Sequence, residues 1–194
     1  MKQYKIAVVG ATGMVGRMFL RVLEERKLPV SEYFLFASAR SAGTTVEFMG
    51  KKHTVRELTE DAFKDLGADI ALFSAGGGTS KIYAPIVSAS GAVVIDNSST
   101  WRMDNEVPLV VPEVNPGDIS MYKNKGIIAN PNCSTIQAMV PLKPLSDRYG
   151  LKRVIYSTYQ SVSGAGMGGY SDLENGLKGE APKKFPHPIA GNVL

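Results

Sequence analysis

The stretch from Tyr4 to Leu28 constrains this chain more than any other. An apolar, β-rich run, YKIAVV, stops at Gly10, and Val15, Phe19, Val22 and Leu23 then recur at helical spacing up to Leu28. Between them lies Gly10-Ala11-Thr12-Gly13-Met14-Val15-Gly16, three glycines at G-x-x-G-x-x-G spacing. Glycines at a strand-to-helix turn let backbone approach a pyrophosphate, and the helix start offers unpaired N–H groups and a positive dipole end. The competing reading is a tight turn with close helix packing. A second β-rich run, 33–37, closes a strand–helix–strand unit of about thirty residues, the size such units need.

The same alternation continues. Apolar strands are expected at 70–73, 93–95, 108–111 and 127–129, separated by helices at 61–66, 80–90 and 116–123. Strands and helices in alternation predict an α/β fold with a doubly wound, mostly parallel, Rossmann-like sheet. After Cys133 the pattern changes. A short amphipathic helix opens at Ser134, and Pro141 and Pro144 should end or kink it. Residues 153–161 alternate as a strand, and a loop containing Gly164, Gly166, Gly168 and Gly169 leads to a helix over 170–178. The last stretch, FPHPIAGNVL, reads as loop. One strand and one helix cannot enclose a core. The expected division is a dinucleotide-binding domain over 1–130 and, over 131–194, the beginning of a second, α+β domain that the chain leaves incomplete.

Composition removes several classes. Of 194 residues 44% are apolar and 21% charged, which suits a globular protein rather than a disordered one. No apolar run approaches the length of a membrane span. The head MKQYKIAVVGATGMVG is broken by glycines and closed by Arg17, unlike a secretory signal, so a cytoplasmic location is expected. The net charge of +4 comes from scattered basic residues with no run longer than Lys51-Lys52 or Lys183-Lys184, which points to a small anionic ligand rather than nucleic acid. A single cysteine cannot form an internal disulfide or a cysteine-based metal site.

Where an NAD-binding protein carries an acidic residue after its second strand, this chain has Ala37-Ser38-Ala39-Arg40-Ser41. An arginine with neighbouring hydroxyls suits a 2′-phosphate, so NADP is preferred over NAD. A solvated loop arginine is the bland alternative. Ser74-Ala75-Gly76-Gly77-Gly78-Thr79 ends another strand on the same edge and either lets a cofactor pass or merely connects. Cys133 falls between a strand ending at Ala129 and a helix beginning near Ser134, where N–H groups and the helix dipole favour a thiolate nucleophile. A small buried hydrophobe is the alternative reading. Asn130 and Asn132 offer amide donors to an oxygen that becomes negative during attack on a carbonyl.

The set GATGMVG, SARSAG, DNSSTWRMD, VPEVN, NPNCST and YQSVSGAG resembles the aspartate-semialdehyde dehydrogenases, in family order along essentially the whole chain. NPNCST separates it from N-acetylglutamyl-phosphate reductases, where glycine and tyrosine flank the cysteine, and from glyceraldehyde-3-phosphate dehydrogenases, with Ser-Cys-Thr-Thr. The resemblance implies an NADP-dependent enzyme of lysine, threonine and methionine biosynthesis, a homodimer acting on aspartyl phosphate, with residues 131–194 beginning its catalytic and dimerisation domain. Cys133 is then the nucleophile, Gln160 a catalytic and substrate-binding residue, and Arg102 a phosphate ligand. Cofactor contacts fall on Gly10, Thr12, Gly13, Met14 and Val15, on Arg40 with Ser41, and on Ser163 with Gly164; Asn97 and Asn132 border the nicotinamide. The family's histidine acid/base and substrate-carboxylate arginine lie beyond YQSVSGAG, and neither His53 nor His187 matches that histidine motif. Two alternatives stand beside this reading: a reductase of another acyl phosphate, such as N-acetylglutamyl phosphate, and a non-catalytic NADP-binding module.

Overall fold

The computed structural model describes residues 2–192. The chain folds as two compact units, Met1–Pro144 and Leu145–Leu194.

The first unit is built on a six-stranded sheet. In chain order its strands are β1 (Tyr4–Val9), β2 (Val30–Ala37), β5 (Arg56–Glu57), β6 (Ile70–Phe73), β7 (Val93–Asp96) and β8 (Ile127–Ala129); β3 (Thr45–Phe48) and β4 (Lys51–Thr54) form a separate antiparallel hairpin. The spatial order is β5-β2-β1-β6-β7-β8 and every pairing is parallel. The sheet order reverses direction beside β1, the position at which doubly wound folds bind ligands.

The strands are apolar almost throughout because both faces are covered. Ala7, Val9, Phe34, Phe36, Ala71, Phe73 and Val94 pack on one side with Ala84 and Val87 of α2 (Gly77–Ala89). Their neighbours Ile6, Val8, Leu35 and Ala37 face the other side, against Leu20 and Leu23 of α1 (Met14–Arg26) and Phe48 of the hairpin. The period of two thus distributes one set of strands between two cores. Gly16, Leu20 and Leu23 are the buried stripe of α1, at the spacing of one helix face. That helix ends at Lys27, which takes a left-handed conformation and donates its N–H to the Leu23 carbonyl.

Several expectations need correction. Residues 61–66 form successive turns rather than a helix, and 116–124 wind as a 3-10 helix. Residues 108–111 do not form a strand. They run beside β8 through one parallel bridge, Leu109 to Ala129, because Pro108 and Pro112 bracket the run and lack the N–H groups a ladder needs. The hairpin β3–β4 and strand β5 carry little sequence signal, since their short runs mix lysine, histidine and threonine with few apolar residues.

Pro141 and Pro144 do not terminate the helix that begins at Cys133: α3 runs Cys133–Tyr149 through both, and each costs it one backbone donor. In the second unit, 153–161 is not a strand. Residues 151–160 are exposed, including Ile155 at 76% and Tyr159 at 89%, and no described segment lies alongside to complete a ladder. Alternation specifies which side chains share a face, whereas a strand also requires a partner. The helix expected over 170–178 starts four residues earlier: α4 spans Gly166–Gly176 and takes in Gly168 and Gly169, expected to be loop. Gly169 is buried against the Val162 carbonyl and the Phe185 ring, which leaves no room for a side chain. Asp172, 3% exposed, accepts the backbone N–H groups of Lys183, Lys184 and Phe185 at 2.9, 2.7 and 2.9 Å, and so holds the following loop to α4. That loop continues to Asn192; Val193 and Leu194 lie outside the described residues.

Candidate active site

In a parallel sheet all strand ends of one kind lie on one edge. The carboxyl ends of β1, β2, β6, β7 and β8 deliver the glycine turn, Arg40, Ser74, Asn97 and Asn130 to the same rim of the first unit.

At β1 the chain leaves through Gly10, with φ +87°, and the Gly10 and Ala11 N–H groups both bond the Phe36 carbonyl, at 2.9 and 3.1 Å. A Cβ on Gly10 would overlap the Ser74 carbonyl; one on Gly16 would overlap the Gly10 carbonyl. The turn is therefore packed against β6 on one side and α1 on the other, so the backbone can approach a ligand without side chains between. Gly13 caps α1 without any side-chain hydrogen bond, and the first turn carries no acidic residue. The N–H groups of that turn, around Met14 and Val15, are left for an anion. Thr12 Oγ1 donates to Ser41 Oγ at 3.4 Å, tying the turn to the short 3-10 helix Ala39–Ser41. Arg40 sits in that helix, exposed and in none of the ion pairs among the described residues.

The opposite end of the rim is more tightly bonded. Asn130 directly follows β8 and Asn97 directly follows β7; Asn130 Nδ2 donates to Asn97 Oδ1 at 2.7 Å. Arg102 spans the pair from the loop after β7. Its Nε donates to the Asn130 carbonyl at 2.8 Å and its Nη2 to the Asn97 carbonyl at 3.2 Å. The loop carrying Arg102 is itself anchored: Trp101 Nε1 donates to Ser80 Oγ at 2.9 Å, and Thr100 Oγ1 to the Gly77 carbonyl at 3.0 Å. Ser80 is buried at the start of α2. Ser98 Oγ donates to buried Asp96 and accepts the Thr100 N–H, which closes the turn between β7 and Trp101.

Asn132 plays a different part. Its Oδ1 accepts the N–H groups of Ser134 and Thr135 at 2.9 and 3.3 Å, capping α3, and Cys133 is the first residue of that helix, with its side chain exposed. Residue type alone makes both asparagines donors to a developing oxyanion. The structure commits the Asn130 amide to Asn97 and the Asn132 oxygen to the helix cap, so among these side-chain amides the Asn132 NH2 is the donor group not already spent. Of the residues that organise this rim, Ser80 carries no motif, and Asp96, Ser98 and Thr100 lie within DNSSTWRMD without any local signal of the bonds they make.

Gln160, Ser163 and Gly164 belong to the second unit. Gln160 is exposed, and its Nε2 lies 3.5 Å from where a Cβ on Gly164 would be. Ser161 and Ser163 share a hydroxyl hydrogen bond of 2.9 Å, and Ser161 Oγ also accepts the Ser163 N–H at 3.3 Å, shaping the 3-10 turn Val162–Ala165. No helix of the described residues is long and apolar enough to cross a membrane.

Fold and rim together define a dinucleotide-binding α/β protein. The model of the semialdehyde dehydrogenase NAD-binding domain matches residues 5–122, and that of the semialdehyde dehydrogenase dimerisation domain matches residues 142–194. The chain belongs to the semialdehyde dehydrogenase family. It is 60% identical over 199 residues to an aspartate-semialdehyde dehydrogenase of Aquifex aeolicus, a match covering 98% of this chain and 58% of that one. Among solved structures, aspartate semialdehyde dehydrogenase II of Vibrio cholerae, complexed with ASA, superposes with a TM-score of 0.88 at 48% identity, covering 99% of this chain and 58% of the other. Aspartate semialdehyde dehydrogenase of Candida albicans, solved with NADP, gives a TM-score of 0.64 at 28% identity, covering 77% and 48%. This chain therefore spans somewhat under three fifths of the length of the relatives it matches.

Proposed function

We propose that the chain carries the cofactor site and the nucleophile of an aspartate-semialdehyde dehydrogenase, which converts L-aspartyl 4-phosphate to L-aspartate 4-semialdehyde with NADPH. The observation that carries the reading is the order of groups along one sheet edge. Arg40 stands at β2, the glycine turn at β1, and Cys133 just beyond β8, four strand spacings from β2, or about 19 Å. On that rim Arg40 would hold the 2′-phosphate of a dinucleotide, with Cys133 at the end left for the nicotinamide.

The residues fit NADP on their own chemistry. A turn whose Gly10 and Gly16 pack too closely on backbone to admit a Cβ, and a helix start with no capping side chain, suit a pyrophosphate. Arg40 suits the 2′-phosphate, with Ser41 linked to Thr12 of the turn. The family resemblance adds Ser163 and Gly164, of the second unit, as cofactor contacts. When bound, the nicotinamide supplies the hydride.

The steps that fall to this chain are the covalent ones. The Cys133 sulfur attacks the acyl carbon of the aspartyl phosphate, a carbon–sulfur bond forms, and inorganic phosphate leaves with the electrons of the broken acyl–oxygen bond. Cys133 is the first residue of α3, directly after the Asn132 cap. The Asn132 NH2 group donates to the carbonyl oxygen as it gains charge. The guanidinium N–H groups of Arg102 not spent on Asn97 and Asn130 hold the departing phosphate, and Gln160 orients the substrate. With the cofactor's hydride supplied, the Cys133 sulfur would be the leaving group, taking the electrons of the broken carbon–sulfur bond as the aldehyde is freed. A homodimer in the cytoplasm goes with this reading, supported by the match of residues 142–194 to a dimerisation domain.

The test runs the reaction backwards on the polypeptide as its gene encodes it, following NADPH formation from L-aspartate 4-semialdehyde. Expected are an absolute need for phosphate and loss of activity in Cys133→Ser. Faster turnover of N-acetylglutamate semialdehyde would replace the substrate; NADP binding without any turnover would leave a binding module.

A further inference from the structure

Asp96, the last residue of β7, is 1% exposed and is the one buried acidic side chain among the described residues of the first unit. It shares a face of the strand with Val94, the face that packs on Ala84 and Val87 of α2. Strand pairing uses only its backbone, so an apolar side chain would suit both the core and the ladder. Burying a carboxyl group is unfavourable unless its oxygens are bonded. Asp172 of the second unit meets that condition with three N–H groups. Asp96 does not. Its Oδ2 accepts one hydroxyl, Ser98 Oγ, at 2.5 Å, and its Oδ1 is buried without a hydrogen-bond partner. No lysine or arginine pairs with it among the described residues. Stability alone gives no reason for a carboxyl group at this position.

What Asp96 holds is the support of the rim. Its carbonyl accepts the Asn130 N–H at 2.8 Å, three positions before Cys133. Its side chain holds the turn after β7. A serine hydroxyl has a single proton. With that proton on Asp96 Oδ2, Ser98 Oγ is left to accept, and it takes the Thr100 N–H at 3.2 Å. Two residues further on, Arg102 reaches the Asn130 and Asn97 carbonyls at 2.8 and 3.2 Å. Without an acceptor at position 96 the Ser98 hydroxyl is free to rotate and donate elsewhere, and the Thr100 N–H loses its defined partner. The turn would keep its ends, through Asn97 N–H on the Phe73 carbonyl and Trp101 on Ser80, but not the path between them. The direction of the Arg102 guanidinium depends on that path.

We propose that Asp96 is a positioning residue of the site: through Ser98 and Thr100 it sets the turn that aims the uncommitted N–H groups of Arg102 at a phosphate. The assignment rests on the reaction proposed for this chain, in which Arg102 holds the departing phosphate and Asp96 has no part of its own.

The experiment uses the polypeptide as its gene encodes it. Sodium phosphate is titrated into protein saturated with NADP, at ionic strength held constant with sodium chloride, and binding is followed by the emission of Trp101, the single tryptophan, next to Arg102. The phosphate KM is measured in parallel from NADPH formation with L-aspartate 4-semialdehyde. Asp96→Ala and Ser98→Ala should each raise the phosphate dissociation constant and KM by about tenfold, with the NADP KM within about twofold of the unaltered protein. The double variant should be no worse than either single one, because the two side chains form one link. Asp96→Asn, which keeps an acceptor oxygen for Ser98, should restore both phosphate constants to within about twofold. These constants refer to folded molecules, so a variant that only loses stability lowers the apparent kcat and leaves them in place. Phosphate constants unchanged in Asp96→Ala, an equal rise in the NADP KM, or no rescue by Asp96→Asn would overturn the role of Asp96 while the reaction stands. Absence of turnover in the unaltered protein would reject the reaction instead, and the Trp101 titration still decides on Asp96. Phosphate binding lost in Arg102→Ala and weakened about tenfold in Asp96→Ala would support its role, and no saturable phosphate binding would overturn it.

Discussion

Arg102→Ala separates two roles that one guanidinium could hold. If Arg102 serves only as a ligand for a substrate anion, its removal costs binding and nothing else. The geometry assigns it structural work as well: Nε to the Asn130 carbonyl at 2.8 Å and Nη2 to the Asn97 carbonyl at 3.2 Å. Hydrogen bonds from a charged donor contribute about 1.5–3 kcal/mol each. Arg102 is only half-buried and the second bond is long, so water recovers part of the loss and about 2–3 kcal/mol remains for the pair. With a urea dependence of about 2–3 kcal/mol per molar for a unit of this size, the midpoint should fall by about 1 M. The single tryptophan, Trp101, is the neighbouring residue and is bonded to Ser80, so its fluorescence reports the transition where the change is made. Arg102→Lys keeps the charge but cannot present two N–H groups in a fork to two carbonyls, and should recover no more than about half of the loss. A midpoint unchanged in Arg102→Ala, with the same slope, would refute the structural role and leave Arg102 as a binding residue only.

Other outcomes are expected at both ends of the rim and in the second unit. Arg40→Ala should weaken NADPH by about tenfold or more while leaving NADH nearly unchanged, measured by nucleotide fluorescence titration; equal losses would contradict the 2′-phosphate assignment. Gly16→Ala sets a methyl on the Gly10 carbonyl, backbone against backbone, and should destabilise the first unit by about 1–3 kcal/mol and abolish nucleotide binding. Gly13→Ala, whose Cβ meets the same carbonyl at 3.2 Å, should be far milder, and equal effects of the two in thermal unfolding would show that the packing argument is wrong. For Asp172, burial works against the charge, yet the N–H groups of Lys183, Phe185 and Lys184 hold its pKa below the ordinary carboxylate value. Its contribution is therefore complete above the unfolded pKa of about 3.9 and is lost as pH falls through the lower folded value. Amide exchange at residues 183–185 should accelerate in acid in the native protein and be fast at neutral pH in Asp172→Asn; acid-independent protection would rule this out.

The parts of this fold that are legible in sequence are those in which local pattern and tertiary role coincide. Strands β1, β6, β7 and β8 are apolar on both faces and bounded by glycine or polar turns, and the glycine turn announces itself by spacing. Cys133 can be placed at a strand–helix junction because β8 and α3 flank it directly. The segments that mislead carry the correct period without the surroundings that the period implies. Residues 153–161 alternate but have no partner strand, and Pro141 and Pro144 are tolerated inside α3 although a proline normally ends a helix. The rim's bonding network lies further out of reach. Asn97 and Asn130 are 33 positions apart and meet because β7 and β8 are neighbours, pairing Asp96 with Ala129 one residue before each asparagine. No periodicity encodes that meeting, since it follows from sheet order. A sequence reading can nominate residues for chemistry from their type and local setting, whereas the residues that hold them still are found only once the strands have been put in order.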